Sequence, residues 1–217
     1  MPKGGLICPD CMKKLSPIRQ PACKKCGREV SSDQAEYCPD CMRHARSFAS
    51  GVSLFHYNEA ARHSLAAIKY KNRREYLDFY SQAIAYRYGR WLGFTGADAL
   101  VPVPVHPARQ RKRGFNQAEE LSVRISRLTG IPVCSGLLIR IRRTVAQKDL
   151  NAAERLKNLQ SAFGISSYYE RHREKMPEAV VLVDDIYTTG STAEACTRIL
   201  LAAGVKRVHV LTICIGG

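Results

Sequence analysis

The stretch VVLVDDIYTTGST, residues 180–192, combines an apolar run, two carboxylates and a hydroxyl-rich turn. Apolar residues without alternation predict a strand covered on both faces. The helical pattern that follows begins near Ser191 or Thr192, so the turn lies at the positive end of a helix dipole. Free backbone N–H groups and hydroxyls in such a turn predict a phosphate site. The residues concerned are Thr188, Thr189, Gly190, Ser191 and Thr192.

The carboxylates of Asp184 and Asp185 would repel that phosphate unless they faced a different group. Ribose hydroxyls can donate hydrogen bonds to carboxylates, and a Mg²⁺ ion can offset their charge. In open α/β sheets, ligands bind beyond the carboxyl ends of the strands, where these two residues are expected. The pattern therefore predicts a sugar phosphate, with its phosphate on the turn and its diol on the aspartates.

Six of the nine cysteines form three Cys-x-x-Cys pairs near the amino terminus. Such pairs in a reducing compartment indicate metal ligands rather than disulfides. Eleven residues separate the second pair from the third, a spacing typical of a zinc ribbon closed by four thiolates. This favours a structural zinc site on Cys23, Cys26, Cys38 and Cys41.

Two alternatives to that zinc site stay open from the sequence. Cys8 and Cys11 could replace the middle pair as ligands, or all six thiolates could hold a binuclear cluster. The remaining cysteines lie in apolar surroundings and are expected to be small core residues. They are Cys134, Cys196 and Cys214.

The net charge of +15 is concentrated in one part of the chain. Residues 105–160 contain twelve Arg or Lys and four Asp or Glu, a local excess of eight positive charges. This concentration favours a polyanionic partner, either the phosphates of a small molecule or a nucleic acid backbone. A further basic cluster, KYKNRR at residues 69–74, could face the same cleft or solvate a helix end, and we favour the second interpretation.

From about residue 50 the chain alternates between strand and helix patterns. This order predicts an α/β fold with a mostly parallel sheet flanked by helices. We expect a zinc-binding module over residues 1–47 and an α/β domain over residues 48–217, with a loop or hairpin plus a short helix within residues 133–165. No apolar run approaches the roughly 20 residues of a membrane span, and no secretory signal is evident. We therefore expect a soluble cytoplasmic protein without membrane insertion.

The motif at residues 180–192 resembles the phosphoribosyl pyrophosphate (PRPP) motif of type I phosphoribosyltransferases. With LVPVPVHPARQRKRGFNQA (100–118), RRTVAQKDLNAAERLKNLQSAF (142–163) and the cysteine pairs, the chain resembles the ComF family. Members often carry four Cys-x-x-Cys knuckles, whereas this chain has three.

The resemblance implies a type I phosphoribosyltransferase fold that binds PRPP with Mg²⁺, behind a small structural zinc module. It assigns Asp184 and Asp185 to the catalytic site. It also implies a pyrophosphate loop with Arg109, Arg111, Arg113 and Gly114, and a lid with Arg142, Arg143 and Lys148.

Three functions are compatible with the resemblance. The protein could transfer phosphoribose to an unidentified acceptor in DNA uptake or utilisation. It could instead be a non-catalytic adapter that responds to PRPP. As a third alternative, it could bind single-stranded DNA beside a ComFA-type helicase.

Overall fold

The computed structural model describes residues 5–141 and 161–216. The lid residues expected at Arg142, Arg143 and Lys148 lie outside this part of the chain. The described elements, in chain order, are α1 (Pro9–Lys14), α2 (Pro39–Arg43), β1 (Ser50–His56), α3 (Glu59–Lys71), α4 (Tyr76–Thr95), β2 (Ala99–Pro102), α5 (Pro107–Arg113), α6 (Gln117–Thr129), β3 (Leu138–Arg140), β4 (Phe163–Ile165), α7 (Ser167–Arg171), a 3₁₀ turn (Arg173–Lys175), β5 (Ala179–Tyr187), α8 (Ser191–Ala202) and β6 (Arg207–Ile215).

Four parallel strands form the central sheet in the order β1-β6-β5-β2. The register pairs Val183 of β5 with Leu211 of β6 on one side and with Pro102 of β2 on the other. Beyond β2, Leu100 makes a parallel bridge to Val133. The predicted architecture, a parallel sheet flanked by helices behind a cysteine-rich module, is confirmed.

Both faces of the sheet are covered by apolar side chains, as the unalternating run in β5 predicts. Helices α3, α4 and α6 pack on one face, where Val181 and Val183 point. Val180 and Leu182 point to the opposite face and share a cluster with Cys23, Cys26 and Cys38 of the amino-terminal module. The cysteine-rich module thus packs directly against one face of the α/β domain.

Several local features have direct causes in the sequence. Asn58 caps α3 by accepting a hydrogen bond from the backbone N–H of Ala61 at 3.0 Å. Gly130 ends α6 at a φ of +77°, a conformation that glycine adopts without strain. Cys196 and Cys214 are fully buried, whereas Cys134 is half-buried with its Sγ 2.8 Å from the hydroxyl of Tyr169.

One local expectation was wrong. The basic segment expected as a loop forms helix α5, because Pro107 occupies its first turn and His106 Nδ1 accepts a hydrogen bond from the N–H of Ala108. Strand β5 includes both aspartates and continues two residues beyond them, since Ile186 and Tyr187 still pair with β6. Of the ambiguous region, Leu138–Arg140 and Phe163–Ile165 pair as antiparallel strands. None of the helices in the described part is long and apolar enough to cross a membrane.

Candidate functional site

The predicted phosphate turn connects β5 to the first turn of α8. Gly190 precedes the helix at a φ of +72°, and no side chain caps the helix amino terminus. A Cβ on Gly190 would lie 2.1 Å from the hydroxyl oxygen of Tyr187, so only glycine fits there. Thr188 and Thr189 are exposed, and the hydroxyls of Thr189 and Ser191 lie 2.9 Å apart. The turn therefore offers uncapped N–H groups and hydroxyls to an anion.

The two carboxylates diverge, because successive side chains of a strand point to opposite faces. Asp185 lies on the face of α3 and α6, where Gln117 donates a hydrogen bond to it at 3.1 Å. Asp184 lies on the face of α8 and accepts a hydrogen bond from the N–H of Asp185 at 2.8 Å. Asp184 therefore shares its face with the phosphate turn, and Asp185 does not.

Asp184 is surrounded by protein atoms, although part of its surface stays accessible. Burial, followed by the nearby charge of Asp185, raises the pKa of Asp184 well above its usual value. A buried carboxylate carries its charge readily only if a cation or hydrogen-bond donors compensate it. Asp184 thus fits a divalent cation or the hydroxyls of a sugar.

Lys69 is a site residue that the sequence interpretation missed. Its ammonium group forms an ion pair with Asp185, and both side chains are largely buried. The interpretation of residues 69–74 as helix-end solvation is therefore wrong for Lys69. The periodicity of α3 could have placed Lys69 on its inner face with Leu65 and Ile68, but the pairing with Asp185 depends on the fold.

A chain of polar contacts joins the basic segment to the acidic pair. The guanidinium of Arg113 donates a hydrogen bond to the side-chain oxygen of Gln117, whose amide donates to Asp185. Burial lowers the pKa of Arg113, and Asp185 partly offsets that effect. Arg109 and Arg111 are exposed on α5, and Gly114 ends α5 at a φ of +83°.

Arg140 of β3 is a second site residue that the sequence interpretation missed. Its guanidinium lies 5.0 Å from the ring centroid of Phe163. Burial, followed by the charge of Arg109, lowers the pKa of Arg140, whereas Asp184 raises it. The charges of Arg109 and Asp184 therefore both act on Arg140, which lies in the separate two-stranded sheet of β3 and β4.

The cysteine cluster lies behind the phosphate turn. The Sγ atoms of Cys23, Cys26, Cys38 and Cys41 all lie within 4.8 Å of one another. The Cys26 and Cys38 sulfurs are 3.6 Å apart, close to the roughly 3.8 Å edge of a tetrahedron with 2.3 Å zinc–sulfur bonds. Contact with Cys41, and then burial, raises the pKa of Cys26, so four thiolates require a shared cation.

Cys8 and Cys11 lie apart from that cluster. They line a groove of about 590 Å³ together with Leu15, His63 and Phe79. Within residues 5–141 and 161–216, the four-cysteine cluster is the one close group of three or more possible metal ligands. The structure thus assembles the ligand set that the spacing favours and neither of its alternatives.

Comparison with known proteins agrees with this geometry. The double zinc ribbon domain family matches residues 1–42. Competence protein F of Haemophilus influenzae is 32% identical over 213 residues, which cover 96% of this chain and 89% of the relative. The chain belongs to the ComF family. The ribbon match and the four-thiol cluster together support a structural zinc site.

Two further ComF relatives align over most of their length. DNA utilization protein YhgH of Salmonella typhimurium is 27% identical over 96% of this chain and 89% of the relative. Competence protein ComFC of Bacillus subtilis is 25% identical over 91% of this chain and 79% of the relative. The similarity therefore extends well beyond the zinc ribbon into the α/β domain.

Proposed function

We propose that the protein binds PRPP with a divalent cation at the carboxyl edge of its sheet, and that it acts in competence or DNA utilisation. The names of its relatives support the process. The observation that carries the ligand is the uncapped amino terminus of α8 beside the largely buried but partly accessible carboxylate of Asp184, whose pKa is raised. One end of this site suits a phosphate and the other suits a ribose.

PRPP carries charge at both ends, and the site has complementary groups at both. The 5′-phosphate would accept hydrogen bonds from the turn between β5 and α8. The ribose hydroxyls would donate to Asp184, with Asp185 held behind it by Lys69 and Gln117. The pyrophosphate would face Arg109 and Arg140, whose charges compensate phosphate oxygens.

A ligand held at both ends keeps its anomeric carbon at a fixed place between them. Such positioning, with arginines around the leaving pyrophosphate, is what transfer to an acceptor requires. We therefore include phosphoribosyl transfer in the proposal. Release of pyrophosphate on addition of single-stranded DNA or nucleobases would support transfer, whereas PRPP binding without release would favour the adapter role.

Calorimetry with PRPP and Mg²⁺ tests the binding proposal. Asp184→Asn should weaken binding at least about tenfold, because the carboxylate on the phosphate face is lost. Asp185→Asn should weaken it less, since that side chain already has partners in the protein. Glu178→Gln, an exposed change beside the opposite end of β5, is the matched control. Undiminished affinity in a folded Asp184→Asn variant would contradict the assignment.

Single-stranded DNA is a second candidate ligand, favoured by the surface of α5. This helix exposes Arg109, Arg111 and Lys112, and the guanidinium of Arg113 lies 5.7 Å from the ring centroid of Tyr70. Tyr70 is 79% exposed, so its ring is accessible to a base. Basic groups beside an exposed aromatic ring are typical of sequence-independent strand binding.

Fluorescence anisotropy at low salt tests the DNA proposal. Arg111→Glu should weaken single-strand binding several-fold and flatten its salt dependence, because fewer counterions are released. Arg90→Glu, an equal charge reversal at an exposed site on α4, should have a smaller effect. Competition by PRPP would place the strand across the arginines of the pyrophosphate end. Equal affinity in both variants would rule α5 out as the contact.

A further inference from the structure

The amino-terminal module of residues 1–47, called the zinc ribbon below, contacts the phosphate turn of residues 188–192 through Arg46. Its guanidinium donates a hydrogen bond to the carbonyl oxygen of Thr189 at 2.8 Å. The same group forms an ion pair with Asp40 at 2.7 Å, and the Arg46 side chain is only 9% exposed. Asp40 lies between the expected zinc ligands Cys38 and Cys41, so Arg46 connects this cysteine pair to the turn.

Arg28 makes a second bridge from the ribbon. It follows Cys26 by two residues, and its guanidinium donates to the carbonyl oxygen of Thr188 at 3.4 Å. It also donates to the carbonyl oxygen of Gly216 at 2.8 Å. Two consecutive carbonyls of the turn are therefore held by arginines from the two halves of the cysteine cluster.

The side chain of Tyr187 fills the space between the ribbon and the turn. Its ring packs edge-on against Phe48, with centroids 6.3 Å apart. Its buried hydroxyl lies against Gly190 and finds no hydrogen-bond partner within the part of the chain that the structure describes. A shift of Phe48 would therefore move the side chain of Tyr187 against Gly190.

The helix behind the turn is attached to the ribbon as well. Ser47 donates hydrogen bonds from its N–H and its hydroxyl to the carboxylate of Glu194, at 2.8 and 2.7 Å. Glu194 is in the first turn of α8 and is only 1% exposed. The ribbon thus contacts both the turn and the helix that would bind the anion.

Peptide geometry gives these contacts a consequence for binding. In a trans peptide the carbonyl of one residue and the N–H of the next point in opposite directions. Arginines that hold the Thr188 and Thr189 carbonyls toward the ribbon therefore direct the N–H groups of Thr189 and Gly190 away from it. Those N–H groups then face the open side of the turn, where an anion can accept their hydrogen bonds.

We propose that the zinc ribbon positions the phosphate-binding turn, with Arg46 and Arg28 as positioning residues, so that zinc occupancy and anion affinity are coupled. The identity of the anion as PRPP rests on the proposed function, whereas the ordering of the turn by the ribbon does not. Coupling of this kind is reciprocal, since each ligand must change the affinity of the other by the same factor.

Arg46→Met is the decisive variant, with Arg46→Lys as the conservative rescue and Arg43→Met as the matched control. Arg43 lies on α2 and hydrogen-bonds the carbonyl of Pro39 within its own helix. Arg46→Met should keep its zinc, exchange the amides of residues 188–192 faster in hydrogen–deuterium exchange, and bind PRPP about tenfold more weakly. Arg46→Lys should recover part of both effects, and Arg43→Met should match the wild type.

Reciprocity supplies a readout that a merely stabilising contact would not change. Saturating PRPP should reduce the fraction of zinc that a competing chelator holds at equilibrium with the wild type, and this reduction should shrink in Arg46→Met. If Arg46→Met does not fold, Arg28→Met carries the same test. Unchanged amide exchange and an unchanged effect of PRPP on the zinc equilibrium in a folded Arg46→Met would overturn the proposal. If the wild type ignores PRPP but the variant still loosens residues 188–192, the proposed ligand fails while the positioning role stands.

Discussion

The tetrapeptide Cys-Pro-Asp-Cys occurs twice, at residues 8–11 and 38–41, and the two copies end in different surroundings. Each begins a short helix at its proline, α1 or α2. Cys38 is 1% exposed and lies with three other thiols, whereas Cys11 is exposed at the edge of an apolar groove. The same local knuckle is thus a completed ligand pair in one place and an isolated dithiol in the other.

This difference shows that one knuckle supplies two of the four zinc ligands. Whether a site forms depends on a second cysteine pair packing beside it. The second knuckle meets the pair Cys23 and Cys26, and the chain then continues through Arg46 to the phosphate turn. The first knuckle continues into helix α1, which ends at Lys14, and the carbonyl of Lys14 accepts a hydrogen bond from Asn58 at 2.8 Å. We therefore expect equal substitutions in the two knuckles to have unequal effects.

The largest contrast should be in metal content. Cys38→Ser with Cys41→Ser should release the zinc and unfold the ribbon, because structural zinc contributes roughly 10 kcal/mol in zinc-finger peptides. Cys8→Ser with Cys11→Ser should keep about one zinc per chain, as in the wild type. Elemental analysis and thermal melting measure both. Equal zinc loss from the two variants would show that the knuckles share ligands.

The second largest contrast should be in the thiol reactivity of the two knuckles. In the zinc-loaded protein, Cys8 and Cys11 should react with iodoacetamide at least about tenfold faster than the cluster cysteines, which are buried or metal-bound. Hydrogen bonds from the thiol and the N–H of Cys11 lower the pKa of Cys8, which favours its thiolate, whereas the contact with Cys8 raises the pKa of Cys11, so Cys8 should react first. Mass spectrometry of timed samples gives the rates. Faster alkylation of Cys41 than of Cys8 would contradict the comparison.

The hydrogen bonds between Ser47, which follows the second knuckle, and Glu194 should make a pH-dependent contribution to the stability of the fold. Burial raises the pKa of Glu194, but hydrogen bonds from Ser47 and Arg198 outweigh it and leave the pKa below its usual value of 4.5. A lowered pKa stabilises the fold above pH 4.5, and that stability is lost as the pH falls through the folded pKa.

Glu194→Gln should therefore cost about 1–3 kcal/mol of unfolding free energy at pH 7, with the deficit shrinking toward pH 4. Urea titrations across this range measure it, with the exposed change Glu174→Gln as the control. A deficit that stayed constant with pH would show that packing, not charge, is responsible.

The smallest contrast should come from the aspartates inside the two knuckles. Asp40 pairs with Arg46 at 2.7 Å, whereas Asp10 is exposed. Both lie in the first turn of their helices, so helix-dipole effects cancel in the comparison. Asp40→Asn should cost about 1 kcal/mol and Asp10→Asn close to none. Equal losses in urea titrations would remove this distinction between the knuckles.

Sequence patterns within a few residues were sufficient to predict much of the fold and part of the candidate site. The cap at Asn58, the stop at Gly130 and the buried run before Asp184 depend on neighbours within a few residues, so the sequence predicts them. The zinc ligand set also follows from spacing, because a ribbon closes over a short, fixed separation. The helix of residues 107–113 was missed because its cap, His106, is an uncommon one.

The sequence by itself therefore determined the alternation of strands and helices, the phosphate turn and the cysteine pairs. The tertiary structure decided what lies against them: Lys69 on Asp185, Arg140 near Asp184, and Arg46 on the carbonyl of Thr189, which is 143 residues away. Contacts across such separations depend on how whole elements pack, and no local pattern of residue types specifies that packing. The same reason explains why two identical knuckles came to have different surroundings.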